Sequence, residues 1–160
     1  MSVKNSIQHA TLCFLINGNK VLLARKKRGH GEGYWNGIGG KVDKNESIEN
    51  ALIREVEEEV GICITAQKKV AELRFHGVPG TDKEWCVHVF TSNKWVGDPA
   101  ETEEMKPRWF EKTKIPYKQM WDDDAYWIPQ VMEGKKVKAE FTFNKDNKTE
   151  KYKVRIVKRL

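Results

Sequence analysis

The chain has 160 residues, 39% hydrophobic and 32% charged, with a formal net charge of +6. That is the size and composition of one soluble domain over residues 1–160, with a single core, and no apolar run approaches the ~20 residues that span a bilayer. The basicity is local: residues 135–160 hold ten Lys or Arg against three Asp or Glu, leaving 19 basic and 20 acidic residues in the first 134. This weighs against nucleic acid as the partner and reads the basic stripe as the solvated side of an amphipathic strand.

The segment Met1 to Ala10 lacks both the apolar core of a signal peptide and the repeated arginines of a transit peptide, so the expected compartment is the cytoplasm. Residues 8–16 are mostly apolar and β-prone. They precede Asn17-Gly18-Asn19 and a second apolar run at 21–24, which together predict a hairpin. In residues 25–40 the glycines at 29, 31, 33, 37, 39 and 40 break both the helical and the strand period, which predicts a long functional loop.

Helical spacing then predicts a helix over 48–60, with Ser47 as N-cap and Gly61 as stop. Its apolar stripe is Ile48, Leu52, Val56 and Val60, broadened by Ala51 and Ile53. Strands are predicted at 69–75 and 85–91 around a turn at 78–81, with a shorter one at 108–110 and a second helix at 123–133. In the tail, Phe141 and Phe143, then Tyr152, Val154 and Ile156, alternate about a turn at 144–147 and predict a final hairpin. This order gives mixed α/β layers in one domain. Cys13, Cys63 and Cys86 read as small buried apolar residues. Neither they nor His9, His30, His76 and His88 show a zinc-ligand spacing, so any metal chemistry must rest on carboxylates.

At about 100° per residue, Glu55, Glu58 and Glu59 fall within one sector of the helix, at the edge of its apolar stripe, while Glu57 points away. Their mutual repulsion would be relieved by a hard cation such as Mg²⁺, which favours carboxylate and water oxygens. Taken alone, the triplet reads more readily as a solvated acidic face. Its setting is more informative. Gly40 is followed after five residues by Glu46, and after seven more by Arg54-Glu55-Val56-Glu57-Glu58-Glu59-Val60-Gly61-Ile62. Glycines at 39 and 40 would let backbone approach metal-bound phosphates, and Arg54 could orient a carboxylate through a charge-assisted bond.

This spacing resembles, at every fixed position, the signature box of the Nudix hydrolases. The resemblance implies a mixed β-sheet sandwiched between α-helices, and hydrolysis of a nucleoside diphosphate linked to another group. It also implies Mg²⁺, or Mn²⁺ in its place, on Glu55, Glu58 and Glu59, with a backbone carbonyl from Gly39 or Gly40. The general base falls on Glu55 or Glu59. Outside the box, segments around 26–29, 35–42, 87–90, 104–110 and 120–127 resemble the animal MutT-homologue subgroup, which removes oxidised purine nucleoside triphosphates such as 8-oxo-dGTP and 2-hydroxy-dATP.

That likeness makes Asn36, Trp121, Asp123 and Asp124 the base-recognition residues, with Thr11, Phe75, Trp127 and Phe143 lining the pocket. It adds Glu104 as a further metal-associated carboxylate and Lys26 as a phosphate contact. The implied protein is a monomer acting on a small nucleotide, away from membranes. Three positions depart from the subgroup: His30 replaces an aromatic Phe, Trp85 a pocket Met, and Asp122 a Pro. A Nudix pyrophosphatase for ADP-ribose, dinucleoside polyphosphates or capped RNA, and a non-catalytic nucleotide-binding module, are the alternatives.

Overall fold

The computed structural model describes residues 6–160; the first five residues of the N-terminal segment read above lie outside the described residues. In chain order come β1 (Ile7–Asn17), β2 (Lys20–Lys26), β3 (Trp35–Asn36), α1 (Ile48–Val60), β4 (Cys63–His76), β5 (Glu84–Val96) and β6 (Met105–Glu111). A 3₁₀ turn (Tyr117–Gln119), α2 (Asp124–Met132), β7 (Lys136–Phe143) and β8 (Thr149–Val157) complete the chain. The strands form one mixed sheet in the order β3-β2-β1-β5-β4-β7-β8, with β6 also paired to β2. β1/β5 and β4/β7 are parallel, and the remaining named pairs are antiparallel.

Ala10 to Leu15 are all buried because β1 lies in the middle of a sheet covered on both sides. Side-chain alternation sends Leu12 and Phe14 into a core with Trp127, Ile128 and Val131 of α2. Cys13 and Leu15 go into a second core with Leu52, Val56 and Val60 of α1. The sheet is thus sandwiched between the two helices. The β1–β2 hairpin closes through Gly18 at φ 61°, with Asn17 opposite Lys20.

α1 has the predicted bounds. Ser47 accepts from the Asn50 N–H at 3.1 Å, and Gly61, at φ 74°, donates its own N–H to the Glu57 carbonyl at 2.9 Å. The predicted loop at 25–40 is more ordered than its glycines suggest. β2 extends to Lys26, β3 pairs with β2, and the glycine segment runs antiparallel to β1. Cys13 and Ile38 exchange N–H···O bonds of 2.6 and 2.9 Å, and Thr11 donates to the Gly40 carbonyl at 2.8 Å.

Three further differences have physical causes. β4 starts at Cys63, six residues before its predicted start, and passes through register shifts between Ile64 and Ala71 that break strict alternation. Cys63 is exposed rather than buried, since Ile62 and Ile64 take the inward positions on either side of it. β8 lies at the sheet edge, where α2 covers only part of it, so Tyr152 and Ile156 remain 57% and 58% exposed. Among the described residues no helix is long and apolar enough to cross a membrane.

Candidate active site

The glutamates of α1 are organised by Arg54. Its Nε and Nη2 donate to the two Glu46 carboxylate oxygens, both at 2.8 Å, forming a two-pronged fork. Nη1 donates to Glu55 at 2.8 Å and Glu58 at 3.3 Å, and Nη2 also reaches the Lys41 carbonyl at 3.2 Å. These bonds hold the Glu46 carboxyl down to about 2 and raise the Arg54 guanidinium further above its ordinary value. Shielding is uneven across the triplet: the Glu55 side chain is 15% exposed and Glu58 is 59% exposed.

Glu59 is the least solvated in character. Burial, reinforced by the neighbouring charge of Glu55, pushes its carboxyl up to about 8, against the opposing pull of a Gly39 backbone N–H. Its Oε2 is buried with no hydrogen-bond partner among the described residues. Glu55 is raised too, chiefly by burial, despite Arg54. A buried carboxylate oxygen with no donor, beside further carboxylates that share one guanidinium, suits a hard divalent cation.

The glycines admit this packing. A Cβ on Gly40 would lie 2.5 Å from the Glu55 carboxyl carbon, and one on Gly39 would overlap the Thr11 carbonyl. The Gly40 carbonyl is already taken by β1 through the Thr11 N–H, so Gly39 offers the freer oxygen of the two candidates. Lys26 and Glu104 both act on the charge of Glu59, Lys26 lowering and Glu104 raising its proton affinity, which places both beside the cluster. Glu104 is exposed and lies 3.5 Å from Arg28.

On the other side of the sheet, Asp123 and Asp124 are only 4% and 3% exposed. Burial pushes Asp123 up to about 6, against the opposing pull of hydrogen bonds from Trp127 and Asp124, and burial together with the charge of Asp123 pushes Asp124 well above its ordinary value. In two adjacent buried carboxyls of this kind, ionising one makes ionising the other harder. Trp127 Nε1 donates to Asp123 Oδ2 at 2.9 Å, while Asp124 Oδ2 is buried without a partner among the described residues. Phe75 stacks on Phe141 and Phe143, with centroids 5.6 and 5.5 Å apart. Trp121 stacks on His30 at 5.3 Å and tilts against Tyr34 at 5.0 Å. Asn36 Oδ1 accepts from the Gly37 N–H at 2.9 Å, leaving its amide NH₂ available.

Two expected pocket residues are placed differently. Thr11 shares its face of β1 with Cys13, and its hydroxyl is 3.5 Å from the Gly40 carbonyl, so it belongs with the glycine loop on the α1 side. Leu12, one position along, takes the α2-facing place that sequence reasoning missed. Trp127 is 1% exposed and holds Asp123 through its indole N–H. Of the departures, Asp122 turns to the final hairpin, accepting from the Thr149 N–H at 2.8 Å. Trp85 lies under Lys41 Nζ at 5.6 Å, and His30 supplies the ring stacked on Trp121. Tyr34, not singled out in the sequence, sat in plain view among the loop aromatics.

A mixed sheet between two helices, with a forked arginine and a glutamate cluster under a glycine loop, defines the class: the NUDIX domain model matches residues 7–131, and the chain belongs to the Nudix family. Members of that family work with divalent metal ions. Among curated proteins the chain is similar to the oxidized purine nucleoside triphosphate hydrolase of Danio rerio, 41% identical over 83% of this chain and 85% of the relative. It is also similar to that of Mus musculus, 40% identical over 92% and 94% respectively. A mutator MutT protein from Bacillus halodurans superposes with a TM-score of 0.81 at 24% identity, covering 92% of this chain and 97% of that one, and shares the fold.

Proposed function

We propose that the chain hydrolyses oxidised purine nucleoside triphosphates, such as 8-oxo-dGTP and 2-hydroxy-dATP, to the monophosphate and pyrophosphate with Mg²⁺. The observation that carries this reading is that Glu59 on one side of the sheet and Asp124 on the other each bury a carboxyl oxygen without a partner among the described residues, Asp124 beside the equally buried Asp123. Glu55, Glu58 and Glu59, with the Gly39 carbonyl and Glu104, would hold the ion. Bound there, it would neutralise phosphate oxygens and make a water molecule more acidic.

The chain's own groups do the rest. Arg54 keeps Glu55 and Glu46 in place. Glu55 is committed to Arg54 by a 2.8 Å bond and Glu59 is not, so Glu59 is the better of the two for taking the proton of the attacking water. Lys26 meets phosphate. Asp124, protonated, donates to a purine edge, while Asp123 accepts; a pair sharing one proton can do both. Trp121, supported by His30 and Tyr34, offers a face for the base. The names of the two vertebrate relatives support the oxidised purine as substrate. The same reading takes the chain to be a cytoplasmic monomer.

Purified protein assayed with Mg²⁺ against 8-oxo-dGTP, 2-hydroxy-dATP, dGTP and dATP tests this. The oxidised nucleotides are expected to turn over with the higher kcat/KM and to release pyrophosphate. Turnover of none of the four refutes it, and equal turnover of all four refutes the assigned preference.

A further inference from the structure

Three side chains far apart in sequence meet on the α1-facing side of β1 and β5. His9 pairs with Cys86 in the parallel register, and His88 lies two residues on, so all three project from the same face. Their ligand atoms, Nδ1 of His9, Sγ of Cys86 and Nε2 of His88, lie within 4.8 Å of one another. Nδ1 of His9 is 3.0 Å and Sγ of Cys86 is 3.7 Å from Nε2 of His88. A tetrahedral ion with bonds of about 2.0–2.1 Å to nitrogen and about 2.3 Å to sulfur sets its donors about 3.4 Å (N···N) and about 3.6 Å (N···S) apart. The two separations from His88 fall within roughly 0.4 Å of those values, and the third, from His9 to Cys86, is at most 4.8 Å. Cys86 and His88 are buried, and His9 and His88 line an open cleft with Gln8, Val42 and Asp43, which leaves room for a water as fourth ligand.

We propose that His9, Cys86 and His88 form a metal site, separate from the glutamate cluster, for Zn²⁺ or another borderline-soft divalent ion. The donor chemistry separates the two sites: imidazole and thiolate select such ions, whereas the all-oxygen glutamate cluster selects hard ones. Without the ion, Lys69 donates to Nδ1 of His88 at 2.9 Å, so the ring carries its proton on Nε2 and donates it to His9. Binding shifts that proton to Nδ1 and turns Lys69 fully to Glu72, which already lies 3.3 Å away. The Cys86 thiol proton leaves for solvent, so uptake of one ion releases one proton. Lys69 therefore opposes the ion, both by its charge and by the tautomer it imposes.

Co²⁺ titration in excess Mg²⁺ tests the site independently of nucleotide turnover. The expected result is one ion per chain with a thiolate-to-cobalt charge-transfer band, displaced by Zn²⁺. The band is lost in Cys86→Ser and retained in Cys63→Ser. His9 is exposed, so His9→Ala folds normally, and it should weaken binding by about tenfold or more, at least the effect of losing an outer-shell partner. Lys69→Met should bind more tightly. Absence of the band in the parent protein, its persistence in Cys86→Ser, or an affinity unmoved by His9→Ala overturns the proposal.

Discussion

Arg54 reaches three glutamates from a single guanidinium, which only a planar fork can do. Arg54→Lys keeps the charge but cannot hold Glu46 and Glu55 together; kcat is expected to fall by about tenfold or more in steady-state assays, with the fold retained by circular dichroism. The aspartate pair gives a pH prediction. Both folded-state pKa values lie above the ordinary 3.8, Asp123 at about 6 and Asp124 well above that ordinary value. The folded chain therefore binds these protons more tightly than the unfolded chain. Their stabilisation is complete below about pH 4 and is lost as pH rises through about 6 and beyond. Asp124→Asn cannot ionise, so its Tm relative to the parent should rise between pH 5 and pH 8, by about 2–4 °C for each kcal/mol recovered. A difference that is flat or falls with pH contradicts the assignment. Residue identities at both clusters were legible from the box spacing and from the Trp121 to Asp124 run. Strand parity was not, so the face of β1 that carries Thr11 could not be read; nor was the meeting of His9, Cys86 and His88, which depends on β1 lying parallel to β5 across 79 residues of chain.

At the scale of elements, α1 was legible because period, N-cap, C-terminal glycine and stripe all agree over one continuous stretch. β3 and the pairing of the glycine loop with β1 were hidden, because their order comes from backbone hydrogen bonds that leave no side-chain pattern. β4 was read short because its register shifts spoil the alternation that marks a strand. Two glycine substitutions separate the loop's function from the helix's stability. In Gly40→Ala the new methyl carbon lies 2.5 Å from the Glu55 carboxyl carbon and displaces it. Turnover should drop about 100-fold, the scale of an ångström's misplacement, with a much smaller change in Tm. Gly61→Ala meets nothing in space but must hold φ at 74°. It should cost about 1 kcal/mol in urea unfolding and leave kcat unchanged at low temperature.

For the whole molecule, charge is partitioned as well as structure. On β7 and β8, Lys138, Lys153 and Arg155 share a surface with Glu72, Arg74 and Glu140, and none of the α1 glutamates lines it. Reversing Lys151, Lys153 and Arg155 to Glu should therefore change kcat/KM for a nucleoside triphosphate by less than about twofold across a salt series; a steep, salt-sensitive loss would instead point to a nucleic-acid substrate. β1 is the divider around which the rest is arranged, with odd positions facing the glutamate helix and even positions facing the helix that carries Asp124. Side chains packed on one side of this strand thus belong to a different core from those on the other. On the proposed reading, a lineage that exchanges His30 or Asp122 changes the base it takes while inheriting its phosphate chemistry.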